Sequence, residues 1–326
     1  MRNLEVRIRR PPATAEDFEV VPGEMPRLTH GGILCRTRWL AVDPLTYSPS
    51  SGAVRSGAGT RTGDVVPALG VCEVLESRHD VFAVGQNVVI QCGMREMCVS
   101  DGHHASALHP GHAPASTALG LLGPSGMAAY FGLLDLAQLR AGETVLVSAV
   151  ANVAGAMAGQ VAAIKGARVV GVGSSREKCE WATRKARFAA CVNPHAENLD
   201  ARLRQLAPHG FDVYFDNSGG ELLEAVLTGH HVARGGRVVL NGVREGVPAE
   251  LLQRAGYAPG EITLLRLHAA HYENRRSEFL KDAIAWHGAH RLVYLEDVTD
   301  GIENAPALLM KAMRGENFGH PLIKMA

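Results

Sequence analysis

The stretch from residue 144 to residue 160 reads TVLVSAVANVAGAMAGQ, and it decides the fold class. Thr144 to Ser148 is a short β-branched run that predicts a strand, and Ala154 to Lys165 has the apolar pattern of a helix. The turn between them is rich in small residues and is followed by Gly155 and Gly159. A dinucleotide fold needs small residues here, because the backbone approaches the pyrophosphate closely and the helix amides face its charge. The stretch therefore predicts a strand, turn and helix that bind a dinucleotide, although an ordinary tight turn has the same glycine pattern.

Asn152 occupies the position of the first turn glycine in such folds. Asn is one of the few residues other than glycine that enter the left-handed region of backbone conformation readily. We therefore expect Asn152 to adopt that conformation and the turn to be retained.

Short β-branched runs alternate with amphipathic stretches beyond this turn, which is the pattern of a doubly wound parallel sheet. The predicted elements are the strands Arg168 to Val172, Ala190 to Val192, Val213 to Asp216 and Arg237 to Leu240, and the helix Arg176 to Lys185. Residues 1–118 instead contain short β-like runs separated by turn residues. These runs are Ile33 to Leu40, Val65 to Leu75 and Asn87 to Gln91, and after residue 290 come a helix, Ala305 to Met313, and a strand, Pro321 to Lys324. The sequence thus predicts an α/β protein in which residues 119–289 form a doubly wound domain and residues 1–118 join 290–326 in a β-rich domain.

The composition narrows the classes of function. Lys plus Arg and Asp plus Glu are both 33, so no excess of basic residues favours nucleic-acid binding. No apolar run approaches the ~20 residues that span a bilayer, and no apolar segment of a signal peptide follows the basic N-terminus. The six cysteines form no Cys-x-x-Cys pair, which indicates free thiols in a cytoplasmic protein without a structural zinc site.

The end of the second predicted strand bears on cofactor choice. An NAD-binding fold places an acid there to bond the ribose 2′-hydroxyl. Here Gly173 or Ser174 stands at that position, and Ser175, Arg176 and Lys178 follow. Hydroxyls and cations suit a 2′-phosphate, so the sequence favours NADPH over NADH. The alternative is that both cations are solvated helix residues that Glu177 partly offsets.

Several blocks in collinear order carry a family resemblance. They are Leu119–Gly123, Gly126–Leu134, Ala141–Ala149, Val42-Asp43-Pro44, Asp212–Gly220 and Gly315–Gly319. Together they resemble the prostaglandin reductase/leukotriene B4 dehydrogenase family of zinc-independent medium-chain dehydrogenases/reductases. The resemblance implies a GroES-like catalytic domain with a Rossmann domain and a homodimer. It also implies hydride transfer from NADPH to the β-carbon of a small-molecule α,β-unsaturated carbonyl.

The resemblance also assigns residues to the cofactor. Asn152, Val153, Ala154 and Gly155 would hold the pyrophosphate, and Lys178 would meet the 2′-phosphate, to which the residues themselves add the hydroxyls of Ser174 and Ser175. The nicotinamide half would be approached by Asn217, Asn241, Gly242, Val243 and Asn317.

This chain departs from related sequences at several positions. Zinc-dependent members of the superfamily have a Cys before Asp43 and a His-Glu pair before Gly70, whereas this chain has Val42 and Ala68-Leu69, so we expect no metal. The family's tyrosine near the 2′-phosphate is replaced by Pro194. Its Tyr-Asn pair after the nicotinamide-side strand is replaced by residues 242–246, GVREG.

Without that tyrosine the substrate's carbonyl oxygen needs another hydrogen-bond donor as negative charge develops on it. The catalytic candidates are Tyr47 and Tyr272, with Arg244 and a cofactor ribose hydroxyl as alternatives. Both tyrosines could instead be partly buried aromatic residues with bonded hydroxyls.

Three functions follow from these observations. The first is an NADPH-dependent enone or enoyl reductase. The second is a reductive cyclase of secondary metabolism, since a different substrate would not need the missing tyrosine. The third is a redox-inactive NADPH-binding protein that keeps only the fold.

Overall fold

The structure is a computed structural model that describes residues 3–10, 14–42, 61–108, 113–241, 247 and 249–326. The chain forms two compact units. One comprises residues 1–120 and 296–326, and the other comprises residues 121–295. The domain limits expected from the sequence, 118/119 and 289/290, stay a prediction, since a compact unit need not coincide with a functional domain.

The strands are numbered in chain order. They are β1 (Asn3–Ile8), β2 (Phe18–Gly23), β3 (Ile33–Ala41), β4 (Leu69–Ser77), β5 (Asn87–Gln91), β6 (Met97–Ser100), β7 (Ser106–Ala107), β8 (Thr144–Ser148), β9 (Arg168–Val172), β10 (Ala190–Val192), β11 (Phe211–Asp216), β12 (Val232–Asn241), β13 (Ile262–Leu267), β14 (Glu296–Asp300) and β15 (His320–Lys324). The helices are α1 (Pro124–Phe131), α2 (Val153–Ile164), α3 (Arg176–Arg184), α4 (Leu199–Leu206), α5 (Gly220–Thr228), α6 (Ala249–Ala255), α7 (Arg276–Gly288) and α8 (Ala305–Met313).

The unit of residues 121–295 is built on a parallel sheet. Its described strands have the order β10-β9-β8-β11-β12-β13, which is the order of a doubly wound dinucleotide-binding fold. Val145, Leu146 and Val147 of β8 are completely buried, as expected of a strand whose two faces are both covered. The predicted α/β fold class, with its doubly wound sheet, is confirmed.

The other unit is rich in antiparallel strands. Its larger described sheet has the order β14-β15-β3-β4-β5-β7, with β6 paired to β3, and β1 and β2 form a separate two-stranded sheet. The helix α8 buries Leu308, Leu309 and Met310 in the core of this unit, together with Val6 and Ile8. The C-terminal segment thus completes the sheet and core begun by the N-terminal residues.

The prediction of a strand from Val65 to Leu75 is wrong at its start. The strand β4 begins at Leu69, after Pro67. Proline has no N–H to donate to a neighbouring strand, so it interrupts a ladder of this kind. Val66 instead exchanges backbone hydrogen bonds with Val6 and Met94.

Candidate functional site

The turn between β8 and α2 is held by Asn152. This residue is the N-cap of α2, and its Oδ1 accepts a hydrogen bond of 2.6 Å from the Gly155 amide. Its backbone is extended, with φ −83° and ψ 166°, so the expectation of a left-handed Asn152 is wrong. The left-handed residue of this turn is Ala149, with φ 53°. Asn152 serves the helix through its side chain, which is the usual role of Asn at this position.

Two glycines of α2 permit close packing around the turn. A Cβ on Gly155 would lie 2.3 Å from the carbonyl oxygen of Ala149. A Cβ on Gly159 would lie 2.0 Å from the ring of Phe188, on the connection that follows α3. The first amides of α2 have no intrahelical acceptors, because a helix supplies none to its first turn. The geometry therefore presents helix amides beside a tightly folded turn, which is the arrangement that binds a phosphate group.

The loop after β9 brings two of the expected 2′-phosphate residues into contact. Lys178 Nζ donates a hydrogen bond of 3.1 Å to Ser174 Oγ. Ser175 is the N-cap of α3, and its Oγ accepts from the Lys178 amide at 3.3 Å. Partial burial lowers the pKa of the Lys178 ammonium. Arg176 points to another partner, because its Nε donates to Glu180 Oε1 at 2.8 Å along the helix.

Hydrogen bonds of two asparagine side chains link the carboxyl ends of β8, β11 and β12. Asn217 Nδ2 donates to the Ser148 carbonyl oxygen at 2.9 Å, and Asn241 Nδ2 donates to Asn217 Oδ1 at 2.7 Å. The Asn217 amide nitrogen also donates to Ser148 Oγ at 2.7 Å. Two residues expected near the nicotinamide, Asn217 and Asn241, are thus joined at the edge of the sheet where doubly wound folds bind ligands.

A buried carboxylate that the sequence reasoning did not single out supports this edge. Asp216 is completely buried and accepts from Tyr214 Oη at 2.7 Å and from Ser148 Oγ at 3.2 Å. The backbone amide of Gly219 donates to it at 3.0 Å. Burial raises the pKa of Asp216, while these hydrogen bonds act in the opposite direction. An acid at the end of an apolar strand, in the run Tyr214-Phe-Asp-Asn217, is the signal that could have identified it.

Tyr272 has an aromatic and acidic environment. Its hydroxyl donates to Asp135 Oδ2 at 3.1 Å, and its ring stacks on Phe131 with centroids 4.5 Å apart. Arg275 pairs with the other oxygen of Asp135 at 2.7 Å. Burial and the neighbouring carboxylate raise the pKa of Tyr272. The hydroxyl proposed as a catalytic donor is therefore already bonded within its own unit.

The remaining expected residues are placed differently. Asn317 belongs to the other unit, where its Nδ2 donates to the Gly319 carbonyl oxygen at 2.6 Å. Tyr47, Gly242, Val243 and Arg244 lie outside the described residues. Their roles stay predictions.

A metal site was not expected from the sequence. Across the described ranges, no group of three or more His, Cys, Asp or Glu side chains is placed to hold a metal ion. Ala68 and Leu69, which stand where zinc-dependent relatives have ligands, lie at the start of β4, and Ala68 is buried.

Two family models match the chain. The N-terminal domain of oxidoreductases matches residues 5–108, and a model described as zinc-binding dehydrogenase matches residues 154–285.

No described helix has the length and apolar character that crossing a membrane requires.

Individual proteins match over nearly the whole chain. Prostaglandin reductase 1 of Bos taurus is 32% identical over 320 residues, which cover 95% of this chain and 94% of that protein. The NADPH-dependent curcumin reductase of Escherichia coli K12 is 32% identical over 324 residues, covering 95% of this chain and 91% of that protein. Among solved structures, CurA of Vibrio vulnificus in complex with NADPH has a TM-score of 0.86 at 27% identity, with 99% of each chain covered.

Proposed function

This chain belongs to the prostaglandin reductase family of the medium-chain dehydrogenase/reductase superfamily, and from this premise we propose that it is an NADPH-dependent reductase of α,β-unsaturated carbonyls. The reaction adds hydride to the β-carbon of the C=C bond and a proton to the α-carbon. The observation that carries the cofactor assignment is the contact between Lys178 and Ser174 at the end of β9, where no acid stands.

The described residues fit a dinucleotide. Because Gly155 has no Cβ, the backbone of the turn at Ala149 can pack directly against the start of α2. Asn152, Val153, Ala154 and Gly155 would hold the pyrophosphate, and Ser174, Ser175 and Lys178 would hold the 2′-phosphate. Asn217 and Asn241, with Gly242, Val243 and Asn317, would approach the nicotinamide half.

When bound, NADPH supplies the hydride. The chain's own residues must then donate a hydrogen bond to the substrate's carbonyl oxygen, on which negative charge develops. Without such a donor the free energy of the transition state would be higher. Tyr47 and Tyr272 are the proposed donors. Tyr272 would have to transfer its hydrogen bond from Asp135 to the substrate. A side chain or water then delivers a proton to the α-carbon.

The reaction is tested by following NADPH oxidation with a small enone, with the corresponding saturated ketone as control. We expect turnover of the enone alone. With NADPH deuterated at the transferred position, NMR should find deuterium at the β-carbon of a saturated ketone. An allylic alcohol as product would refute C=C reduction. A cyclised product would indicate the reductive cyclase, and absence of NADPH oxidation with any enone or quinone would indicate the redox-inactive protein.

We also propose that the chain forms a homodimer. Within the described part of the chain, β13 pairs with β12 alone, so it lies at an edge of the sheet. Edge strands carry unpaired N–H and C=O groups to which a second copy can bind. Sedimentation equilibrium should give twice the mass of one chain, and a monomer at micromolar concentration would exclude the proposal.

A cytoplasmic location is proposed as well. It is supported by the cysteines, all six of which are free thiols. Fractionation of the source cells, with immunodetection of the chain, would test it.

A further inference from the structure

Two cysteine thiols meet beside the loop that follows β9. Cys179 lies in α3 and Cys191 in β10, and their Sγ atoms are 2.6 Å apart. This separation is only about half an ångström longer than a disulfide bond. Both side chains are half-buried, whereas the other four cysteines, Cys35, Cys72, Cys92 and Cys98, are buried. The pair is therefore both close enough to bond and open enough to meet a small reagent.

We propose that Cys179 and Cys191 form an oxidisable dithiol, a modification site that a peroxide converts into an intramolecular disulfide. This inference does not depend on the proposed reductase activity, because it concerns the thiols alone.

The surroundings of the two sulfur atoms assign their roles. The thiol of Cys191 donates to Cys179 Sγ, which lowers the pKa of Cys179 and raises that of Cys191. Cys179 is therefore the thiolate that attacks first, since the thiolate is the nucleophilic form. Cys191 is the resolving thiol.

The oxidation balances in two steps. The Cys179 thiolate attacks one oxygen of hydrogen peroxide, so an S–O bond forms, the O–O bond breaks and hydroxide leaves. Cys191 then attacks the sulfenic sulfur, so the S–S bond forms, the S–O bond breaks and its oxygen leaves as water. The net reaction converts two thiols and one peroxide into one disulfide and two waters.

The disulfide would close at the base of the loop that is assigned to the 2′-phosphate. Gly173 lies next to both sulfur atoms. A Cβ on this residue would be 2.9 Å from Cys179 Sγ and 3.4 Å from Cys191 Sγ. The Gly173 amide also donates to the Val192 carbonyl oxygen at 3.0 Å, which ties the loop to β10. A glycine at residue 173 thus leaves the space in which the two thiols meet.

The test treats the full-length reduced protein with hydrogen peroxide under native conditions. The protein is then unfolded in an alkylating reagent, and tryptic peptides are analysed by mass spectrometry. We expect two alkylated cysteines fewer per chain and a linked pair of peptides, residues 179–184 and 188–202, that dithiothreitol separates. The buried cysteines should stay alkylated, and far-ultraviolet circular dichroism should be unchanged.

Two variants identify the order of attack. Cys191→Ser should leave a sulfenic acid on Cys179 that dimedone labels, and Cys179→Ser should leave Cys191 reduced. The proposal is overturned if the wild-type pair stays reduced, if Cys179 is oxidised to sulfinic acid without a link, or if either cysteine links to one of the buried four. Because the wild-type protein carries the main measurement, misfolding of a variant would not decide the result.

Discussion

Lys178 is the residue on which cofactor preference should depend. Its Nζ is held at Ser174 Oγ, and one charge-assisted hydrogen bond contributes about 1.5–3 kcal/mol. We predict that wild-type protein binds NADPH at least about tenfold more tightly than NADH, which corresponds to roughly 1.4 kcal/mol. Lys178→Ala should remove most of this preference while NADH binding stays within about twofold. Fluorescence titration with both cofactors measures the four dissociation constants.

Lys185→Ala is the matched control for this prediction. Lys185 is an exposed residue at the other end of α3, so its removal changes the net charge equally but should leave both dissociation constants unchanged. Equal affinity of the wild-type protein for NADPH and NADH would contradict the assignment.

The catalytic donor is also a question of single residues. Phenylalanine keeps the ring and removes only the hydroxyl, so we predict that Tyr47→Phe or Tyr272→Phe lowers kcat by about tenfold or more at unchanged NADPH dissociation constant. Removal of one oxyanion donor costs roughly 10²–10³ in rate in other enzymes. Steady-state kinetics with a small enone measures the effect.

Asp135→Ala separates chemistry from packing at Tyr272. It breaks the same hydrogen bond as Tyr272→Phe but leaves the hydroxyl present. A catalytic Tyr272 predicts a loss of kcat in Tyr272→Phe alone, whereas a structural Tyr272 predicts similar effects of both variants. If both phenylalanine variants turn over at the wild-type rate, Arg244, the ribose hydroxyl or water is left as donor.

The chemistry of a residue was easier to predict than its conformation. The sequence identified Asn152 as important to the turn, because few residue types suit it. It could not show that Ala149 takes the left-handed conformation, since that depends on how β8 leads into α2. Asp216 was missed for a related reason. Its role arises from donors that lie far apart in sequence, such as Ser148, and only the fold brings them together.

At the scale of elements, the close approach of α2 to the turn should determine cofactor affinity. A Cβ on Gly155 would meet backbone atoms, which cannot move aside as a side chain can. We therefore predict that Gly155→Ala weakens NADPH binding by about tenfold or more and lowers the free energy of unfolding by roughly 1–3 kcal/mol. Isothermal titration and urea unfolding measure the two quantities.

Gly288→Ala is the control for this substitution. Gly288 ends α7, and a Cβ there would meet no atom within 4 Å. It should leave NADPH binding unchanged and alter stability by less than about 1 kcal/mol. Wild-type affinity in Gly155→Ala would show that the turn does not hold the pyrophosphate.

Short strands that pair as a single continuous run were the most predictable from the sequence. The limits of β8, β9 and β10 were predicted to the residue, because each strand is a short apolar run between more polar or turn-forming residues. The start of the run from Val65 to Leu75 was not predicted correctly. Its residues before Pro67 pair with the segments around Val6 and Met94, whereas those from Leu69 onward form β4. Both parts of the run are apolar, so hydrophobicity does not separate them, but Pro67 does, because it has no backbone N–H to donate to a neighbouring strand.

At the scale of the whole molecule, turnover should need no metal. Zinc needs about four clustered ligands, and the positions of Ala68 and Leu69 offer none. We predict that prolonged treatment with a chelator leaves kcat unchanged and that elemental analysis finds well under one zinc per chain. A zinc-dependent dehydrogenase treated in parallel shows that the chelator is effective. A stoichiometric zinc whose removal abolishes turnover would refute the prediction.

His320 should make the stability of the folded chain sensitive to acid. One ring nitrogen of His320 donates to the Leu119 carbonyl, and Nε2 is buried without a partner among the described residues. Burial lowers the pKa of the imidazole to about 4. An unfolded histidine has a pKa of about 6.5, so the folded state prefers the neutral form. Its stabilising effect is complete above about pH 6.5 and is lost as the pH falls toward 4, by at most about 1.4 kcal/mol per unit.

The measurement compares urea unfolding of the wild type and His320→Gln between about pH 7 and pH 5. Glutamine can also donate to the Leu119 carbonyl, but it does not titrate. Glu296, the neighbour of His320 in the β14–β15 register, has a pKa raised by burial and therefore loses stabilisation as the pH rises. This opposing effect is present in both proteins and cancels in their difference. We predict that the wild type loses more of its free energy of unfolding than His320→Gln over this range. Equal losses in the two proteins would show that His320 is not the group that titrates, because only the imidazole distinguishes them.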